Sequence, residues 1–336
     1  MLESTTEEIL VRVEGRLGHI TLHRPRQINA LTPNMVIAVR AALAQWRADE
    51  QVQVVLIDGA GERGLCAGAD IRMLHQGLLD AAVDPLDFLR VEYRMNSELA
   101  HYAKPVVAVM AGLTLGGGVG ISAHCSVRIV TETSQVGMPE TAIGLAPDVG
   151  GLSLLSRAPG ELGTHAALTG ARFGPADAIA AGLADHYFPA AGLARLTEQL
   201  RTGVVPEFTD APTSDELFAS RTWIDRCYTG GDVETMMAAL LASPEPAARA
   251  AAAMLGKMSP TALRVTLQAT RRAASMTLDE VLDQDLRVAS RFLRHPDLAE
   301  GIRAQVIDKD RRPRWQPAEL AEVSAAQVDA FFDPLP

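Results

Sequence analysis

The sequence predicts an α/β fold. Three observations carry that reading: short apolar runs of buried-strand character, amphipathic stretches of helix length between them, and glycine-rich turns where one gives way to the other. Between Ile9 and Leu22 apolar residues alternate with polar ones around the turn Glu14-Gly15-Arg16, the pattern of a β-hairpin. Pro33 follows Thr32, a good N-cap, and opens a helix that runs to about Ala48. Val52 to Ile57 reads as a buried strand, and Gly59 to Gly68 as a long loop. A helical stretch begins at Ile71, a second helix spans Phe88 to Ala103, and Val106 to Met110 is the next strand. The same succession of strand, glycine turn and helix recurs at Val127 to Val130 and again after Ala184. Beyond Pro206 strand-like runs disappear, and Ala-rich helical patterns occupy Met236 to Leu241, Ala247 to Leu255, Ala262 to Ala274 and Leu278 to Leu293. The 336 residues therefore divide, on this reading, into a core at 1–200 and a helical C-terminal region at 201–336.

Composition narrows the function classes. Hydrophobic residues make up 48% and charged residues 21%, which excludes disorder, collagen and coiled coil. A net charge of −10 opposes a general nucleic-acid partner, because such a surface repels phosphate backbones. Local arginines beside the predicted loops, Arg24, Arg26, Arg63 and Arg72, are left as candidates for holding one anionic cofactor. Cys66, Cys125 and Cys227 form no CxxC, which suits reduced thiols in the cytoplasm. Met1 to Leu10 is acidic and lacks arginine, so it reads as neither a secretory signal nor a transit peptide. The uncharged run Pro105 to Ala123 has the length of a membrane span, but its glycines Gly112, Gly116, Gly117, Gly118 and Gly120 fit a strand followed by a glycine turn. No membrane partner is expected.

Three segments hold candidate chemistry. Gly59-Ala-Gly-Glu-Arg-Gly64 matches GxGxxG after a strand, yet the loop continues through Ala67, Gly68 and Ala69 where a dinucleotide fold would open a helix. A turn that a ligand approaches closely fits better. Leu115-Gly-Gly-Gly-Val-Gly120 lies between a strand and a helix expected near Val119. Helix-start N–H groups are unpaired, and glycine lets a substrate oxygen come near without meeting a Cβ. Two such loops after neighbouring strands could lend one N–H each to a single carbonyl oxygen, an oxyanion hole; tight helix–strand packing accounts for the glycines equally well. The third segment, Met138-Pro-Glu-Thr-Ala-Ile-Gly-Leu-Ala-Pro-Asp-Val-Gly-Gly151, sets Glu140 and Asp148 in apolar surroundings, where carboxylates acquire raised or split proton affinities. Glu140 could instead favour a helix start, and Asp148 could cap a helix over Gly150 to Ser156. No GxSxG, HExxH or GxxxxGK is present, and the eight histidines show no metal spacing.

Together these segments resemble the crotonase (enoyl-CoA hydratase/isomerase) superfamily, through Leu65-Cys-Ala-Gly-Ala-Asp70, Gly116-Gly-Gly and Met138-Pro-Glu140. Phe88-Leu-Arg-Val-Glu-Tyr93, the Glu140–Asp148 block, Ala167-Leu-Thr-Gly170, Ser259-Pro-Thr-Ala-Leu263 and Glu300-Gly-Ile-Arg-Ala-Gln-Val-Ile-Asp-Lys-Asp310 resemble its branch of 3-hydroxyisobutyryl-CoA hydrolases. The resemblance implies a spiral of ββα units with a helical C-terminal region. It also implies an acyl-CoA thioester substrate, hydrolysed in valine catabolism, with CoA entering as part of the substrate and no separate cofactor or metal. The backbone N–H groups of Ala69 and Gly117 would hold the carbonyl oxygen. Glu140 and Asp148 match the family's active-site carboxylates, and Glu92 a substrate-pocket acid; Ala67, Gly68, Asp70 and Gly116 would complete the binding loops. Family hydratases use a second glutamate where this chain has Gly120, and the hydrolase pattern has glycine where this chain has Ala69. The implied assembly is a homo-oligomer, a trimer or hexamer. A hydratase or isomerase acting on another acyl-CoA, or a non-catalytic acyl-CoA binder, would share most of these features.

Overall fold

The computed structural model describes residues 7–79, 85–213 and 216–335, and these form two compact units that interleave along the chain. One unit comprises the described residues up to Asp70 with 91–136 and 173–213; the other comprises 71–79, 85–90, 137–172 and 216–335. The sequence reading placed one boundary at residue 200. Packing instead groups the C-terminal helices with two earlier stretches, a long-range association that local composition does not display.

The first unit is built on a six-stranded sheet. The hairpin strands Ile9–Glu14 and Leu17–Leu22 pair antiparallel, and Val54–Gly59, Val106–Val109, Val127–Val130 and His186–Tyr187 follow in parallel. Register is fixed by pairs such as Leu17 with Val54, Val55 with Val106 and Val107 with Val127. The order across the sheet is the order along the chain, so no strand reversal creates the switch point at which a dinucleotide would bind. Hairpin turn residue Gly15 sits at φ +64°, a conformation that costs a Cβ-bearing residue.

One sheet face is covered by the helix Leu193–Leu200: Leu17, Val54, Leu56, Val107, Val109 and Ile129 bury against Phe188, Leu196 and Leu200. The helix Pro33–Arg47 starts where Pro33 predicts, with the Thr32 hydroxyl accepting the Met35 N–H, and buries Met35, Val36, Val39, Leu43 and Trp46. A Cβ at Gly18 would lie 2.6 Å from the Trp46 ring, so glycine at that strand residue leaves room for the indole to pack against it. The third strand begins two residues later than the apolar run suggests. Val52 is buried but closes a turn onto the Asp49 carbonyl, and Gln53 donates to Arg16 before pairing begins.

The second unit is helical, its longest helices being Pro260–Ala273 and Leu278–Phe292. The Ser259 hydroxyl caps the first by accepting the Ala262 N–H, and Thr277 with Glu280 forms a capping box at the second. No helix among the described residues is long and apolar enough to cross a membrane.

Candidate active site

In the first unit, the glycine loop and the glycine triplet run side by side. Leu65 and Cys66 donate backbone hydrogen bonds to Ala111 and Leu113, and Leu115 donates to Cys66. Gly68, at φ +104°, lies so close to the second loop that a Cβ there would be 3.2 Å from the Leu115 carbonyl and 3.5 Å from the Gly117 nitrogen. The helix Gly117–Ser122 starts two residues before the expected Val119, because Gly116 takes a positive φ of 53° as its N-cap. Gly117 is thus the first helical residue, and its N–H has no acceptor among the described residues. The Ala69 N–H likewise donates to nothing described, whereas its neighbours Ala67 and Asp70 donate to Ile28 and Leu31.

A Cβ built at Gly117 would sit 3.2 Å from the Ala69 nitrogen and 2.6 Å from Oε1 of Glu92. Glu92, only 1% exposed, therefore brings a carboxylate to the spot where the two loops meet. Two idle amides beside one buried acid can stabilise an oxygen that gains negative charge. Absence of a Cβ at 117 keeps that spot open.

Two further residues hold the loop in place. Arg24 bridges Asp70 at 2.9 Å and Glu8 at 3.3 Å and donates to the Ala30 carbonyl. This guanidinium, a candidate phosphate ligand by position, is occupied in fastening Asp70. Asn29 is fully buried at φ +53°; its amide oxygen accepts the Arg24 N–H, and its amide nitrogen donates to the carbonyls of Ala60 and Gly64. Sequence reading missed it. Its signal was an asparagine in a left-handed turn beside the glycine loop, where the side chain can take over backbone hydrogen bonding. Cys66 is buried, and burial, by disfavouring the thiolate, pushes its thiol up to about 12, so it acts as a small apolar residue and not as a nucleophile.

In the second unit, Glu140 opens the single 3₁₀ turn Glu140–Ile143 and is 7% exposed. Glycine permits close packing on both sides of that turn. A Cβ at Gly301 would lie 2.3 Å from the Ile143 carbonyl, one at Gly144 (φ +74°) would lie 2.5 Å from the Asp297 carbonyl, and one at Gly170 would approach Pro139 at 3.1 Å. The Thr141 hydroxyl anchors the turn to the Leu168 carbonyl.

Asp148, 8% exposed, precedes two left-handed residues, Val149 at φ +53° and Gly150 at +75°. The helix Gly151–Leu155 begins with Gly150 as N-cap and no side-chain cap, so Asp148 does not play the capping role that its position allowed. Its backbone carbonyl accepts the Gly151 N–H, while the Gly150 N–H goes to Oδ2 of Asp285 at 2.8 Å. Asp285 is 2% exposed, and burial together with the nearby negative charge of Asp148 holds its carboxyl well above the ordinary range. Sequence reading missed Asp285 too, although it stands in the apolar stripe formed by Val281, Leu282, Val288, Ala289 and Phe292.

Thus Ala67, Gly68, Ala69, Asp70, Glu92, Gly116 and Gly117 belong to one unit, and Glu140 and Asp148 to the other. The Glu300 block forms a charged knot: Arg303 binds Glu300 through two bonds of 2.8 Å and reaches Asp308 and Asp310. No group of three or more His, Cys, Asp or Glu among the described residues could hold a metal ion.

A family model described as enoyl-CoA hydratase/isomerase matches residues 17–332. The mitochondrial 3-hydroxyisobutyryl-CoA hydrolase of Homo sapiens is 37% identical over 345 residues, covering 98% of this chain and 89% of its own. That of Danio rerio is 37% identical over 350 residues, covering 100% and 92%. Among solved structures, a carnitinyl-CoA dehydratase from Mycobacterium thermoresistibile is 46% identical with a TM-score of 0.93, covering 98% of this chain and 97% of its own. An enoyl-CoA hydratase from Rhodobacter sphaeroides is 44% identical with a TM-score of 0.94, covering 98% of each.

Proposed function

The chain belongs to the enoyl-CoA hydratase/isomerase family, and on that premise we propose that it hydrolyses 3-hydroxyisobutyryl-CoA to 3-hydroxyisobutyrate and CoA, a step of valine catabolism. The observation that carries the reading is the pair of unengaged amides, Ala69 and Gly117, meeting beside Glu92. In this reading they bind the thioester oxygen, and each donor is worth about 3 kcal/mol as charge develops. Alanine in place of glycine at 69 leaves that role intact, because the donor belongs to the backbone. Glu140 either attacks the acyl carbon, expelling the CoA thiolate and leaving an anhydride that water hydrolyses, or deprotonates a water whose attack breaks the C–S bond and releases CoA. Asp148 and Glu92 receive the substrate hydroxyl, and Ala67, Gly68, Asp70 and Gly116 shape the loops around the acyl group. The chemistry calls for no metal and no resident cofactor, since CoA arrives with the substrate. Three buried free thiols support a reducing compartment such as the cytoplasm.

The solved relatives described as a hydratase and a dehydratase favour a second reading, addition of water to an unsaturated acyl-CoA. Gly120 speaks against it: this buried helical position has no side chain with which to move a proton. Free CoA and double-bond absorbance, followed separately with 3-hydroxyisobutyryl-CoA and crotonyl-CoA, decide between the two. Hydrolysis predicts thiol release from the first substrate, with a loss of at least about a hundredfold in Glu140→Gln. Loss of the crotonyl double bond without thiol release from either substrate would establish the hydratase instead.

A further inference from the structure

We propose that Asp285 is a positioning residue for Asp148: by accepting the Gly150 N–H it holds the Asp148–Gly151 turn in the one geometry that presents the Asp148 carboxylate. The functional half of this inference rests on the role given to Asp148 above. The structural half stands by itself.

The turn needs such a clasp. Val149 and Gly150 are consecutive left-handed residues, and Val149 is β-branched, for which a positive φ is costly. A conformation of that kind persists only where its surroundings over-determine it. The Asp148 carbonyl engages Gly151, but the Gly150 N–H points away from its own turn and has the Asp285 carboxyl as its acceptor, 2.8 Å away and buried. Asp285 is the one acid among the buried residues of the helix Leu278–Phe292, which are otherwise apolar or, at Gln284 and Ser290, uncharged, and burial of an acid there has no packing rationale. A leucine would fill the stripe better. Among the described residues Asp148 is the titratable group that raises it, and its negative charge, with burial, favours the protonated form of Asp285. Asp285 can therefore stay neutral and still accept the Gly150 N–H through its Oδ2.

Two variants separate the parts of this arrangement. Asp285→Asn keeps an oxygen for the Gly150 N–H, and Asp285→Ala removes it. In native-state hydrogen exchange the Gly150 amide should exchange about tenfold faster in Asp285→Ala, the order expected for one lost hydrogen bond, and near the wild-type rate in Asp285→Asn. Unchanged exchange in Asp285→Ala would overturn the proposal whatever the substrate proves to be. With 3-hydroxyisobutyryl-CoA, kcat of Asp285→Ala should fall about tenfold with little change in KM, and Asp285→Asn should restore most of it. In an Asp148→Asn background the alanine change should add nothing further, because Asp285 acts through Asp148. An equal loss in both backgrounds would mark a general structural role and sink the idea. Should Asp285→Ala fail to fold, Asp285→Leu, which fills the space without an acceptor, takes its place. A wild-type enzyme that releases no CoA would refute the proposed function and leave the exchange result to decide this one.

Discussion

Gly117→Ala fills the spot where the amide pair and Glu92 meet. The added methyl would stand 3.2 Å from the Ala69 nitrogen, the separation at which an oxygen accepts a hydrogen bond from it, and 2.6 Å from Oε1 of Glu92. Substrate oxygen and methyl cannot both occupy that spot. Loss of one oxyanion donor costs about 10²- to 10³-fold in rate, or about 3–4 kcal/mol, so kcat/KM should fall by at least about a hundredfold. Stability should barely change. Gly117 does not have a positive φ, and the contact under 3 Å is with the end of the Glu92 side chain, while the Ala69 backbone nitrogen at 3.2 Å must give by only a few tenths of an ångström. Gly118→Ala makes the contrast, since its methyl would meet the backbone carbonyl of Cys66 at 2.4 Å and must disturb the fold. Steady-state CoA release and thermal melting measure both variants. If Gly117→Ala is folded and turns over within about threefold of wild type, the amides of Ala69 and Gly117 do not bind the reacting oxygen.

Three further outcomes follow from buried titratable groups. His165 packs edge-on against Trp223 and Tyr228, and burial lowers it from 6.5 to about 4. The unfolded chain then binds the extra proton first, so stability is lost as pH falls from about 6.5 toward 4, by about 3 kcal/mol in all, and urea midpoints of His165→Gln should show a smaller loss. Asp285 shifts the other way: its folded form keeps the proton, and its contribution is present at low pH and lost as pH rises through the raised value. Melting temperature of Asp285→Asn relative to wild type should therefore climb as pH rises above about 4, the ordinary carboxylate value, and a flat difference would contradict the burial of that acid. Cys66 and Cys125, both pushed up to about 12 by burial, should resist a disulfide reagent in native protein and react on denaturation. Rapid labelling of either in the native state would show that these sites open.

The parts of the site legible in the sequence are those whose chemistry is local. A glycine loop after a strand, and a glycine triplet at a helix start, declare backbone donors wherever they fold, because the donors belong to the chain itself. Hence the two loops could be picked out from their sequences alone, whereas Ala69 and Gly117 within them were named only through the family resemblance. Glu140 announced itself through its proline and its apolar flanks. Element boundaries moved where a turn borrowed buried residues, as at Val52, and where glycine let a helix begin early, as at Gly116; the helix read as Phe88 to Ala103 runs from Pro85 to Ala100. What stayed hidden was long-range. Asn29 works through carbonyls some thirty residues away, and Asp285 through an amide 135 positions earlier. The interleaving of the two units was invisible for the same reason.

Asp285 was nonetheless detectable as an inconsistency. A helix that repeats apolar residues at Val281, Leu282, Val288, Ala289 and Phe292 and places an acid at 285, in the same stripe, breaks its own pattern. Such a break costs stability, and a sequence that keeps it needs a compensating interaction or a function. Here the compensation is a backbone amide of a strained turn, and the turn carries a carboxylate that the proposed chemistry uses. Val149 shows the same logic from the other side: a β-branched residue at positive φ is a local error unless something elsewhere imposes it. Two violations 136 residues apart, joined by one hydrogen bond between Gly150 and Asp285, explain each other better than either can be explained alone.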